Sequence, residues 1–187
     1  MNYKVLTFSV ISSLLFTLLL FSFSKPTESE LIKAEFTENL FPKIVDYDLD
    51  YEIYDLMDYK TKKQVNLSVF KNKTVLLNFY EPWCQACNKE FTVLNKFAKL
   101  YKDKVIVVSI SSGDDMGMLD EWQKKWNYEN IQFLIDKNSK LTQYFKVRSI
   151  PATYLAENNG SVRYEFIGDR NYLSKSFSRY IDMLLSY

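Results

Sequence analysis

The segment Trp83-Cys84-Gln85-Ala86-Cys87 carries the only two cysteines among 187 residues. On a helix, two residues between them put their Cβ atoms roughly 5–6 Å apart, and little rearrangement then closes a disulfide. Before them stands an apolar run, Val75, Leu76, Leu77, Phe79 and Tyr80, which reads as a short strand buried on both faces. After Asn88 the period changes: Phe91, Leu94, Phe97, Ala98 and Tyr101 recur at three- and four-residue steps, as on one face of a helix. The cysteines thus fall where a strand ends and a helix begins. Unpaired backbone N–H groups and the helix dipole favour negative charge there. A thiolate is such a charge, so the placement activates a sulfur as a nucleophile. The chemistry indicated is reversible dithiol–disulfide exchange.

Other uses of two cysteines fit less well. A zinc site would need two more soft ligands, and the chain has two cysteines and no histidine. A purely structural bridge across two residues would contribute little, because such stabilisation grows with loop length. The absence of histidine also removes Ser-His and Cys-His catalytic pairs and the imidazole pH switch. Lys plus Arg (24) nearly balances Asp plus Glu (23), and no basic run suggests nucleic acid. No metal and no cofactor are called for.

The rest of the chain supplies the frame. Lys4 followed by an uncharged run from Val5 to Ser24 has the form of a targeting segment over 1–24. Its length suits a retained membrane anchor, whereas Ser22 and Ser24 suit a cleaved signal peptide; both remain open. Either places the remainder outside the cytoplasm, in the periplasm or on the outer face of the membrane, where disulfide chemistry is accessible. Residues 25–45 are polar with little periodicity and read as a linker or loosely attached arm, leaving 46–187 as the folded domain. Tyr51, Ile53 and Tyr54, then Val65, Leu67 and Val69, flank a polar turn over 58–63 and suggest a β-hairpin. Val105 to Val108 is a second interior strand, which makes a right-handed βαβ unit with the first. Met118, Leu119, Trp122 and Trp126 suggest a helical face, with the tryptophans in the core. Ile131 to Ile135 reads as a strand, and Leu141, Tyr144 and Phe145 as a short helix. Pro151 opens an apolar strand, a position where proline is tolerated. Asn158-Asn159-Gly160 is a hairpin turn before a strand over 162–167, and Leu173, Phe177, Tyr180, Ile181 and Leu184 mark a last helix.

Leu77-Asn78-Phe79-Tyr80-Glu81-Pro82-Trp83-Cys84-Gln85-Ala86-Cys87-Asn88-Lys89-Glu90-Phe91 and Val147-Arg148-Ser149-Ile150-Pro151-Ala152-Thr153-Tyr154 together resemble the thioredoxin superfamily. Gly168, breaking the last strand, fits the same pattern. More narrowly, the chain is similar to the extracytoplasmic thiol-disulfide oxidoreductases of the TlpA/ResA/CcmG type over roughly residues 46–185. The resemblance implies an α/β thioredoxin-like fold: a central mixed sheet flanked by helices, with an N-terminal hairpin and an inserted helix and strand. It implies that Cys84 is the exposed attacking thiol and Cys87 the resolving one. It also implies a cis Ile150-Pro151 bond whose backbone offers polar groups to an incoming substrate strand. Trp83 would shield the sulfurs or else pack in the core. Asn78 stands where cytoplasmic thioredoxins carry a buried aspartate. Glu90 matches an acidic residue used near the active site, or else is an exposed glutamate of the helix.

For direction, Gln85 and Ala86 provide no cation, and Glu81 and Glu90 oppose thiolate formation, which favours a reductant over an oxidant. The resemblance agrees, and implies a membrane dithiol electron donor with cysteine-bearing envelope proteins, including apocytochrome c, as substrates. Rival readings are a thiol oxidant for secreted proteins and a copper carrier. The latter lacks a histidine, and Met57, Met116 and Met118 lie on other segments.

Overall fold

The computed structural model describes residues 25–49, 51 and 55–186. The leader expected over 1–24 falls outside them, as do Ile53 and Tyr54 of the expected hairpin. The described chain divides after Leu31, and Ile32 onward forms one compact unit. Its elements are helix α1 (Glu28–Leu40), strands β1 (Lys43–Asp48), β2 (Leu56–Asp58) and β3 (Gln64–Val65), and a 3-10 turn (Leu67–Phe70). There follow β4 (Thr74–Phe79), α2 (Gln85–Leu100), β5 (Val105–Ser111), α3 (Met116–Trp126) and β6 (Gln132–Ile135). The chain closes with α4 (Lys140–Tyr144), β7 (Ala152–Ala156), β8 (Ser161–Ile167) and α5 (Lys175–Leu184).

The strands form one sheet in the order β1-β8-β7-β4-β5-β6-β2-β3. β4, β5 and β6 run parallel, and the remaining pairings are antiparallel. β4 is central and buried along its whole length, as its unbroken apolar run requires. Side chains alternate across it: Leu76 joins the core layer containing α2 and α5, while Val75, Leu77 and Phe79 join the opposite one. The inserted α3 and β6 extend the sheet beyond β5, and the β2–β3 hairpin pairs onto β6.

Four expectations need correction. The stretch 25–45 is not a loose linker. It holds α1 and the start of β1, and Ile32, Phe36 and Leu40 are buried at four-residue intervals. Only this narrow stripe is buried, Leu31 being exposed and most other positions polar, which is why the helix reads as polar overall. Its start carries a capping box: Glu30 N–H donates to Thr27 Oγ1 (3.3 Å) and Thr27 N–H to Glu30 Oε2 (2.7 Å). The second correction concerns the hairpin, which is shorter than expected. Leu67 and Val69 lie in the 3-10 turn because the Asn66 side chain accepts the Ser68 N–H at 2.9 Å and diverts the backbone from the ladder. Third, α3 buries Leu119 and Trp122 but leaves Met118 and Trp126 exposed. All four fall within about 100° around the helix, but Met118 in its first turn and Trp126 at its last residue stand at the ends of that face, and only Leu119 and Trp122 between them join the core. At the C-terminus, Leu173 precedes α5 and is exposed; Ser174 caps the helix by accepting the Phe177 N–H.

Candidate active site

Cys84 is the N-cap of α2, immediately beyond the C-terminal end of β4. It is bonded to Cys87, with Cα atoms 5.3 Å apart, and the Cys87 N–H points at Cys84 Sγ from 3.1 Å. The helix terminus therefore aims a backbone donor at the sulfur that would carry charge once the bridge is opened. Cys84 keeps 6% of its surface and Cys87 none. The sequence suggested an exposed Cys84; in the bridged form each sulfur covers the other, and Cys84 is merely the less buried of the two.

β7 brings the proline loop to the same end of the sheet. It runs antiparallel to β4, with Ala152 opposite Phe79, so Ile150-Pro151 lies level with the chain leading into the cysteines. The peptide bond between them is cis. Gly168, in the left-handed region at φ +79° where glycine is unstrained, donates its N–H to the Pro151 carbonyl at 2.8 Å. The side chain of Ile150 packs against the core layer that includes both cysteines. Trp83 is 65% exposed, which overturns the alternative that placed it in the core. With Pro82 and the exposed Met118 it lines a groove of about 250 Å³ whose other walls are Glu81, Ser112, Asp114 and Asp115. The Glu81 carboxylate accepts from the Ser112 N–H (2.8 Å) and from Ser111 Oγ (2.9 Å).

Glu90, one turn beyond Cys87, is buried rather than an exposed residue of the helix. Its Oε1 accepts from the Tyr172 phenol (2.9 Å) and its Oε2 from Asn78 Nδ2 (2.9 Å). Asn78 also donates to Thr153 Oγ1 at 3.0 Å, and its Oδ1 accepts from Ser109 Oγ at 3.2 Å, which fixes the orientation of the amide. Burial raises the Glu90 carboxyl to about 7, against the pull of Tyr172, Asn78 and the Arg170 backbone N–H, with Asp169 adding to the rise. Sequence reasoning noted Asn78 and Glu90 but missed Tyr172, Ser109 and the part played by Thr153. Nothing in the spacing of Tyr172, beyond β8, marks it out among 14 tyrosines.

The raised carboxyl links folding to pH. In the unfolded chain Glu90 titrates near 4.5 and in the fold at about 7, so folding takes up a proton between these values. Stability is unaffected by this group below about pH 4.5, falls as pH rises through the window, and has lost the full increment above about 7. The increment is on the order of 3 kcal/mol. Glu90→Gln, similar in shape but uncharged, should flatten this slope and be the more stable protein at pH 8. Urea unfolding of both proteins at pH 4.5 and pH 8 measures it; parallel pH dependences would show that no buried charge is being carried.

The Redoxin family model matches residues 37–181, well over half of the chain. The chain belongs to the Redoxin family. Relatives include thiol-disulfide oxidoreductase ResA of Bacillus cereus, 28% identical over 109 residues covering 58% of this chain and 62% of that one. Thiol:disulfide interchange protein DsbE of Vibrio cholerae is 30% identical, covering 58% of each. The aligned part thus spans about three-fifths of the length of these curated relatives. Among solved structures, the exposed lipoprotein thioredoxin of Streptococcus pneumoniae superposes with a TM-score of 0.59 at 24% identity, covering 76% of this chain and 100% of that one. The sheet order and flanking helices of this Redoxin-family chain are thus the thioredoxin-like arrangement implied by its sequence.

Proposed function

We propose that this protein is a thiol-disulfide oxidoreductase that works as a reductant. The observation that carries the reading is the Cys84–Cys87 bridge capping α2 at the sheet end where cis-Pro151 begins β7. In the dithiol form, the Cys84 thiolate attacks a substrate disulfide, expels one substrate thiolate and forms a mixed disulfide. Cys87 gives its proton to the Glu90 carboxylate, and its thiolate then attacks Cys84 Sγ. The second substrate thiolate leaves and the bridge re-forms. Two electrons pass from the cysteine pair to the substrate, and an external dithiol must restore them. A carboxyl near 7 suits a group that takes and returns a proton at neutral pH. Pro151's carbonyl is engaged by Gly168, so the polar groups offered to a substrate strand are those of Ile150.

The direction rests on charge. Gln85 and Ala86 bring no cation to the helix tip, and the acidic neighbours Glu81 and Glu90 oppose the accumulation of thiolate that makes a strong oxidant. Equilibration with thiol buffers of known potential should place the pair near the reducing end of the range, about −270 mV. A value near about −120 mV would instead assign the oxidant role. The same preparation should accelerate reduction of insulin by dithiothreitol. Extracytoplasmic placement, a membrane dithiol donor and apocytochrome c or other envelope proteins as substrates complete the proposal. The leader-like sequence over 1–24 and the likeness to ResA and DsbE support it.

A further inference from the structure

Tyr172 is fully buried in the loop between β8 and α5 and donates to Glu90 Oε1, a contact for which the preceding mechanism has no use. Its ring is held edge-on by Phe166 (centroids 5.9 Å, 88° between planes) and Phe177 (5.1 Å, 74°). The phenol therefore has little freedom to turn away. The donors around the carboxyl also have a common sense. Asn78 Nδ2 donates both to Glu90 Oε2 and to Thr153 Oγ1. The Tyr172 O–H points at Glu90 Oε1, so Asn78 and Tyr172 each bring a hydrogen to a different oxygen of the carboxylate. Ser109 fixes the amide that starts the chain. Donors from β4 and from the β8–α5 loop thus meet on a side chain of α2, with β5 and β7 engaged through the Asn78 amide. Such chains strengthen one another in a buried setting.

We propose that Tyr172 is a positioning residue for this reaction: its locked phenol holds the Glu90 carboxyl in one orientation and favours its ionised form, so that Glu90 is ready to accept the Cys87 proton. The proposal deepens the reading of Glu90 given above and rests on it. The charged groups bearing on this pair include the Arg170 guanidinium, which acts on the Tyr172 phenol. Asp169 disfavours ionisation, the Arg170 backbone N–H favours it, Cys87 lies one turn back on α2, and Tyr172 itself is pushed far above the usual phenol range, mainly by burial, so it stays a donor. Without the phenol, the buried carboxylate would lose one of its donors, and the neutral acid would gain.

The test follows the Glu90 carboxyl directly, by ¹³C NMR of the bridged full-length chain labelled at glutamate Cδ, with Glu90→Gln used to assign the resonance. In Tyr172→Phe the midpoint should rise by about one pH unit, and the alkaline-going limb of the single-turnover resolving rate should move with it. Replacing residue 172 by 3-fluorotyrosine, a more acidic phenol of nearly the same size, should move both midpoints down and guards against a variant that fails to fold. A midpoint unchanged in the fluorotyrosine protein, or in folded Tyr172→Phe, would overturn the proposal. If the carboxyl shifts as expected while the wild-type protein reduces no disulfide, the functional reading fails and the assignment of Tyr172 to the Glu90 charge stands.

Discussion

Cys84→Ala is expected to lower insulin reduction to the rate given by dithiothreitol alone, whereas Cys87→Ala should make one attack and stop. The asymmetry comes from position. Cys84 caps the helix, retains some surface and receives the Cys87 N–H at its sulfur, so it is the site where a thiolate is stabilised and can be reached. Cys87 has no exposed surface and can meet only a sulfur already attached to its neighbour. Removing it should leave a substrate joined to Cys84, and mass spectrometry of the trapped adduct would identify the physiological partner. Turnover by Cys87→Ala near the wild-type rate would point to a one-cysteine mechanism, and a Cys84→Ala protein that forms adducts through Cys87 would reverse the roles.

Phe36→Ala should destabilise the fold by about 3–5 kcal/mol, although the residue lies in a stretch whose composition suggests a tether. Its ring is fully buried. It stacks on Tyr180 of α5 with centroids 4.1 Å apart and meets Tyr164 of β8 edge-on at 4.9 Å. An alanine would leave a cavity between α1, α5 and the sheet that rigid aromatic neighbours cannot collapse to fill. The ion pair between Glu35 and Arg179 on the same helices is half-exposed and should matter far less. Chemical denaturation measures the difference, with Glu35→Ala as the control. A loss below about 1 kcal/mol for Phe36→Ala would mean that α1 is dispensable and that the fold begins after it.

Local pattern carried much of this protein. The apolar run of β4, the period of α2 and the cysteines between them are near neighbours in the chain, so spacing alone puts two sulfurs at a helix N-terminus. The Ile150-Pro151 pair before a strand was legible for a similar reason: proline is excluded from a strand interior. Other elements were obscured by competing signals. α1 buries only Ile32, Phe36 and Leu40, and its polar remainder hides that stripe, though Thr27-x-x-Glu30 is a capping box in plain sequence. Leu67 and Val69 alternate like a strand, yet the Asn66 side chain takes a backbone N–H and turns the chain.

By itself, the sequence determined the chemical type of the site: two thiols at a helix start, with no histidine or further cysteine to support another use. It also determined the buried strand that holds them. Only the tertiary structure decided the electrostatics around them. Glu90 could have faced water, but Asn78 from β4 and Tyr172 from beyond β8 converge on it across separations of 12 and 82 residues, with Thr153 from β7 engaged by the same Asn78 amide. A carboxyl's charge depends on its solvation and on the donors that reach it. Both are properties of what packs around the group, and no local spacing encodes them.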